Sequence, residues 1–234
     1  MKFESFPIPG EVYLIGYFLA FILSFGTTLF LIRNPFNFVF NHLSNSTCED
    51  IKSFGGIAVI LSFLITLWLF LLTGMIDSGN IYLLTVITAS TGVMLLLGIY
   101  DDITQCTARL KLAVQILIAC ALYFCGFQIE RLGNLVELGN FSIFLTILWI
   151  VGITNAINLI DGMDGLAPGI IFFSCLTIAF VYLERQIVGG SFLAVILAGS
   201  VLGFFIFNFP PAKIILGDTG SLPLGLLVAL ITLL

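Results

Sequence analysis

Long apolar stretches separated by short polar breaks constrain this chain more than any other feature. Candidate spans fall at about 11–32, 54–73, 81–100, 112–128, 141–160, 169–183 and 191–209, and an eighth opens near 222. Most approach the roughly 20 apolar residues that cross a ~30 Å hydrocarbon core as a helix. The eighth has only about 13 residues before the end, enough for about 20 Å. A chain that is 60% hydrophobic and 9% charged, with 24 Phe and a mean hydropathy of +1.20, lies far from soluble averages. The predicted fold class is therefore all-α: a polytopic transmembrane helical bundle of about eight spans, the last incomplete. Ahead of the first run stand only Lys2 and Glu4 as charges, with no small-residue cleavage site, so that run reads as a retained span. Residues 1–234 read as one integral-membrane domain embedded in a lipid bilayer, without soluble domains or internal repeats.

Composition also narrows the function classes. A pI near 4.6 argues against a nucleic-acid partner. Cys48, Cys106, Cys120, Cys125 and Cys175 include no Cys-x-x-Cys pair and no His at ligand spacing, so they suggest neither a disulfide framework nor a zinc site.

Consecutive spans alternate direction, so the first, third, fifth and seventh connections open on one side of the membrane. That side holds Asp101, Asp102, Asp161, Asp164 and Asp218, together with Arg33, Lys52, Arg109, Lys111 and Lys213. The other side has Lys2, Arg131 and Arg185. The positive bias assigns the acidic side to the cytoplasm.

Three of these connections carry chemistry. In "GIYDDITQCTARLKLAVQ" two adjacent carboxylates end a span, with Lys111 nine residues beyond Asp102; such a pair suits a cation or basic groups, and the same residues also serve as ordinary caps and boundary markers. In "NAINLIDGMDGLAPG", helical spacing puts Asn158, Asp161 and Asp164 on one face, beside Gly162 and Gly165. That face suits a hard, oxygen-liganded cation such as magnesium; a plain Asp-Gly turn is the alternative. Asn155 and Asn158 lie in or beside the apolar run, where unpaired amides are costly. In "NFPPAKIILGDTGSLPLG", Asp218 stands between glycines and hydroxyls at the start of the last run, a setting for a metal, a phosphate or a simple N-cap. Together with Lys111 and Lys213, the three loops describe a magnesium-diphosphate site at the membrane surface.

These three stretches, in this order, resemble the signatures of the polyprenyl-phosphate N-acetylhexosamine-1-phosphate transferases (glycosyltransferase family 4), from about Gly55 to the end of the chain. The resemblance implies a magnesium-dependent enzyme of the bacterial cytoplasmic membrane, its site facing the cytoplasm. Such enzymes move a sugar 1-phosphate from a UDP-N-acetylhexosamine to a polyprenyl phosphate and release UMP, beginning lipid-linked cell-wall or surface polysaccharide synthesis. It further implies that Asp101 and Asp102 are active-site carboxylates and Lys111 their basic companion. Asn158 and Asp218 match the magnesium positions, and Asp161 and Asp164 the acidic pair of "DGMDG". Asn155, Lys213 and His42 are the expected substrate contacts. His42 sits in "RNPFNFVFNHLSNSTCEDIKSFGG", which keeps Pro35, Gly55 and Gly56 but lacks the Arg-Lys pair of the family.

The resembling enzymes continue through further spans and a His-rich basic loop, so the chain is expected to be C-terminally truncated relative to them. An inactive remnant and a transporter with a carboxylate-lined cation pathway are the competing readings. A CDP-alcohol phosphotransferase would require an Ala-Arg after the first Asp-Gly, and "DGMDGLAPG" has no Arg. The oligomeric state is left open, a homodimer included.

Overall fold

The structure, a computed structural model, describes residues 10–33, 54–76, 78–132 and 136–234. Among them are eight α-helices: α1 (Gly10–Arg33), α2 (Gly55–Leu72), α3 (Ile81–Thr104), α4 (Ala108–Phe124), α5 (Ser142–Ile160), α6 (Leu166–Glu184), α7 (Val188–Asn208) and α8 (Asp218–Ile231). Six, all but α4 and α8, are long and apolar enough to cross a membrane. The chain is a multi-pass helical membrane protein. The only β-structure among the described residues is a two-residue antiparallel ladder, Arg131–Leu132 with Val136–Glu137, in the connection between α4 and α5.

Two helices organise the bundle. α7 packs on α1, α6 and α2, while α8 packs on α3, α5 and α2, so α2 joins the two halves. Every residue of α8 from Thr219 to Ile231 is buried. Between apolar helices in lipid, association depends on close packing, and small residues provide it here. α1 buries Gly16, Ala20, Ser24 and Thr28 at fourfold spacing, facing Gly199 and Gly203 of α7. α4 is an edge helix: its buried residues are Gln115, Ile118, Ala119 and Leu122, and Leu112, Ile116, Leu117 and Phe124 are exposed.

Two boundaries differ from the sequence reading. The third connection shrinks to residues 105–107, because α3 continues through Asp101 and Asp102 to Thr104 and α4 begins at Ala108. An ion pair across the gap lets these charges remain helical. α8 begins at Asp218 rather than near 222, because a carboxylate from α3 satisfies its first backbone N–H groups. The start of α2 lies at the same end of the bundle: Gly55 and Gly56 donate their N–H groups to the carbonyls of Ile215 and Leu216, both at 3.0 Å. This pairing satisfies N–H groups that a helix start otherwise leaves open. Thus the third, fifth and seventh connections and the end of the first converge, as alternation requires. His42 and Lys52 lie outside the described residues.

Candidate active site

Lys111, in the first turn of α4, reaches between two carboxylates: its Nζ donates to Asp101 Oδ2 at 2.9 Å and to Asp218 Oδ2 at 2.7 Å. Asn158, one turn from the end of α5, donates from Nδ2 to Asp218 Oδ1 at 2.8 Å and to Ser221 Oγ at 2.8 Å. Asp218 is therefore the point at which α3, α4, α5 and α8 meet. Hydrogen bonds to charged groups contribute about 1.5–3 kcal/mol each. The three charged side chains of the pair of ion bridges are mostly shielded, at 21%, 11% and 23% exposure for Lys111, Asp101 and Asp218, so solvent screening is limited.

Asp102 is directed differently from its neighbour. Its Oδ1 accepts the N–H of Asp218 at 3.0 Å, and its Oδ2 accepts the N–H of Thr219 at 2.9 Å and the Thr219 hydroxyl. A side chain from α3 thus caps α8, a negative group on the positive end of a helix dipole. The arrangement needs Gly217: its φ is +72°, and a Cβ there would stand 2.9 Å from Asp102 Oδ2. Gly98, one turn before Asp102, admits the same backbone; a Cβ there would meet Asp218 O at 2.4 Å.

The fifth connection locks onto the seventh. Asp161 ends α5 and is half-buried. Burial, then the charges of Asp218 and Asp102, push its carboxyl up to about 7. Asp164 is exposed and accepts the N–H of Ala212 at 3.0 Å; it faces the neighbouring loop rather than the Lys111 cluster. Buried Asn208 accepts from Gly165 N at 2.9 Å and donates to Ile214 O at 2.8 Å, joining the same two loops. Lys213 is exposed and makes no ion pair among the described residues. The Asn155 amide donates to Gln115 Oε1 and to Val151 O. Of the residues expected from sequence, Asp101, Asp102, Lys111, Asn158, Asp161 and Asp218 come together; Asn155 lies one turn deeper, and Asp164 and Lys213 stand on the rim.

Four residues at the site were not singled out by the sequence reading. Thr219 and Ser221 were visible only as hydroxyls near Asp218. Gln115 carried a signal, a lone amide inside an apolar run. Asn208 carried none beyond its place at a span's end.

Do these residues suit a magnesium ion? The donors are oxygen-rich and hard. Asp101 Oδ1 is buried without a hydrogen-bond partner among the described residues. Lys111 pairs with Asp101 and Asp218 alone, while Asp102 and Asp161 add two further carboxylates at the same end, and burial with the charges of Asp218 and Asp102 holds the Asp161 carboxyl high. Among the described residues no three acidic, Cys or His side chains form a ready-made cage. A magnesium ion held by one or two carboxylates plus substrate phosphates needs no such cage, and Asp101, Asp218 and the Asn158 amide oxygen are donors of the hard type it takes. The residues fit.

A membrane bundle with an acidic cluster at one end is a setting for chemistry on phosphate groups at the membrane surface, and comparison with known proteins gives the family. The family model for glycosyl transferase family 4 matches residues 83–234, and the chain belongs to that family. It is 40% identical over 188 residues to the "Probable undecaprenyl-phosphate N-acetylglucosaminyl 1-phosphate transferase" of Bacillus subtilis, covering 77% of this chain and 50% of the relative. It is 34% identical over 209 residues to a phospho-N-acetylmuramoyl-pentapeptide-transferase of Streptococcus pneumoniae, covering 79% and 62%. The chain thus spans about half to three fifths of the length of these relatives. Its four described cysteines are free.

Proposed function

We propose that this protein transfers a sugar 1-phosphate, an N-acetylhexosamine 1-phosphate, from a UDP-sugar to a membrane polyprenyl phosphate, with magnesium as cofactor and UMP as the second product. The observation that carries the reading is the bridge from Lys111 to Asp101 and Asp218 with Asn158 on the same carboxylate. It is a charge cluster at the end of a membrane bundle, where a lipid phosphate and a water-soluble nucleotide can both arrive. Carboxylates gathered at one end, not along a path through the bundle, favour the enzyme over a transporter.

In the reaction an oxygen of the lipid phosphate forms a bond to the sugar-bearing phosphorus of the UDP-sugar. The bond from that phosphorus to the bridging oxygen breaks, and its electron pair leaves on UMP. Asn158 and Asp218 would hold magnesium, with Asp101 Oδ1 and Asp161 facing the same charge. When bound, the ion supplies neutralisation of diphosphate charge and Lewis-acid polarisation. Lys111 exchanges carboxylate for phosphate oxygens and offsets the charge that develops on the leaving group. Asp102 holds the start of α8, and with it Asp218, in register. A general base is not required, because a phosphate monoester with a second pKa near 6 is largely dianionic at neutral pH.

We place the site on the cytoplasmic face of the bacterial inner membrane, on the lysine and arginine bias. The name of the Bacillus relative favours N-acetylglucosamine as the sugar. Membranes enriched in the protein, given undecaprenyl phosphate, magnesium and a panel of UDP-sugars, should release UMP in equal amount to the lipid-linked sugar phosphate formed, fastest with UDP-N-acetylglucosamine. UDP release, or lipid product without UMP, would contradict the reaction class.

A further inference from the structure

α4 is tethered weakly where it matters most. Its buried stripe begins at Gln115 and runs away from the site through Ile118, Ala119 and Leu122. Toward the site, Leu110 and Leu112 are exposed and Val114 is only half-buried against the core, so apolar contact does little to fix the direction in which Lys111 extends. Gln115 is one turn from Lys111 on α4, as Asn155 is from Asn158 on α5. The amide bond between Gln115 and Asn155 therefore closes a ring of side chains: Lys111 to Asp218, Asp218 to Asn158, one turn of α5 to Asn155, across to Gln115, and one turn of α4 back to Lys111.

Gln115 is costly to bury. It is 1% exposed, and its Nε2 has no partner among the described residues, a buried donor that folding alone would replace with Leu or Met. We infer that Gln115 and Asn155 are a positioning pair that holds α4 against α5 so that Lys111 meets the reacting phosphates. The activity part of this inference rests on the transferase reading above. The pair touches no reacting atom and acts through the angle of α4.

The test uses Gln115→Met and, from the exposed side of the bond, Asn155→Leu, which does not put the buried core at risk. Each should lower kcat by about tenfold or more while KM for the UDP-sugar stays within about twofold. The melting temperature of Gln115→Met should stay within about 2 °C of the parent or rise. The exchange variant Gln115→Asn/Asn155→Gln, which restores an amide across the gap, should recover most of the lost kcat. A second readout does not depend on the reaction: labelling of Lys111 by an amine-reactive probe, located by mass spectrometry, should quicken in both single variants.

Unchanged kcat and labelling would overturn the inference, as would a loss of activity that tracks a loss of thermal stability. A raised KM at Asn155→Leu with unchanged Lys111 labelling would make Asn155 a substrate contact instead. Absence of transfer by the parent protein would count against the transferase reading, and the labelling comparison would still decide the pairing.

Discussion

Asp161 and Asp102 show how two carboxylates at the same end of the bundle take different parts. The Asp161 carboxyl is pushed up to about 7 from 3.8 by burial and by the charges of Asp218 and Asp102. Its raised value means the folded state holds a proton that the unfolded chain has released. Its contribution to stability is full below about pH 4 and lost as pH rises through about 7. A cation competes with that proton, so magnesium affinity should increase with pH up to about 7 and then level off. Manganese titrations of the purified protein at pH 5.5–8.5 should show this rise, and Asp161→Asn should flatten it. Asp102→Ala removes the cap of α8 and should cost about 1–3 kcal/mol, seen as a lower melting temperature together with lost transfer. Removing Lys111 leaves two shielded carboxylates without their cation, a loss of about 3–5 kcal/mol in buried pairs that magnesium should partly restore.

At the scale of elements, α8 is set by contacts that admit no side chain. A Cβ at Gly98 would meet Asp218 O at 2.4 Å, and one at Gly56 would meet Gly220 Cα at 2.1 Å. Overpacking of this kind costs about 1–3 kcal/mol, and here the displaced group is the backbone that carries Asp218. Gly98→Ala should therefore insert into the membrane normally and lose most transfer, measured as UMP release per inserted molecule. The spans themselves were legible in the sequence because their signal is composition over about 20 residues. The start of α8 was not, because its cap, Asp102, lies more than a hundred residues earlier. α4 was placed four residues late for a related reason: Arg109 and Lys111 look like a boundary until the partners of Lys111 are known.

At the scale of the whole molecule, alternation of spans assigned the third, fifth and seventh connections to one side, and the bonds of Asp218, Asp164 and Asn208 bring them together. The six clustered residues were legible because charge is scarce in this chain and each lies at a span's end. Asn208 and Gln115 were harder, since their roles depend on which loop or helix they face. In a background without native cysteines, cysteines at positions 105 and 166 should both resist labelling from outside intact cells. Labelling at one and not the other would break the shared-face architecture, and labelling at both would invert the orientation.

The measurement that bears most directly on the central claim is magnesium-dependent UMP release by the parent protein and by Asp218→Ala, compared at equal membrane insertion. Asp218 joins Lys111, Asn158 and the capped end of α8, so its removal should lower transfer by about a hundredfold or more, the scale of a lost electrostatic contact at a reacting centre. EDTA should silence the parent protein, with activity returning on added magnesium. Full transfer in EDTA, or an Asp218→Ala protein as active as its parent, would contradict the account.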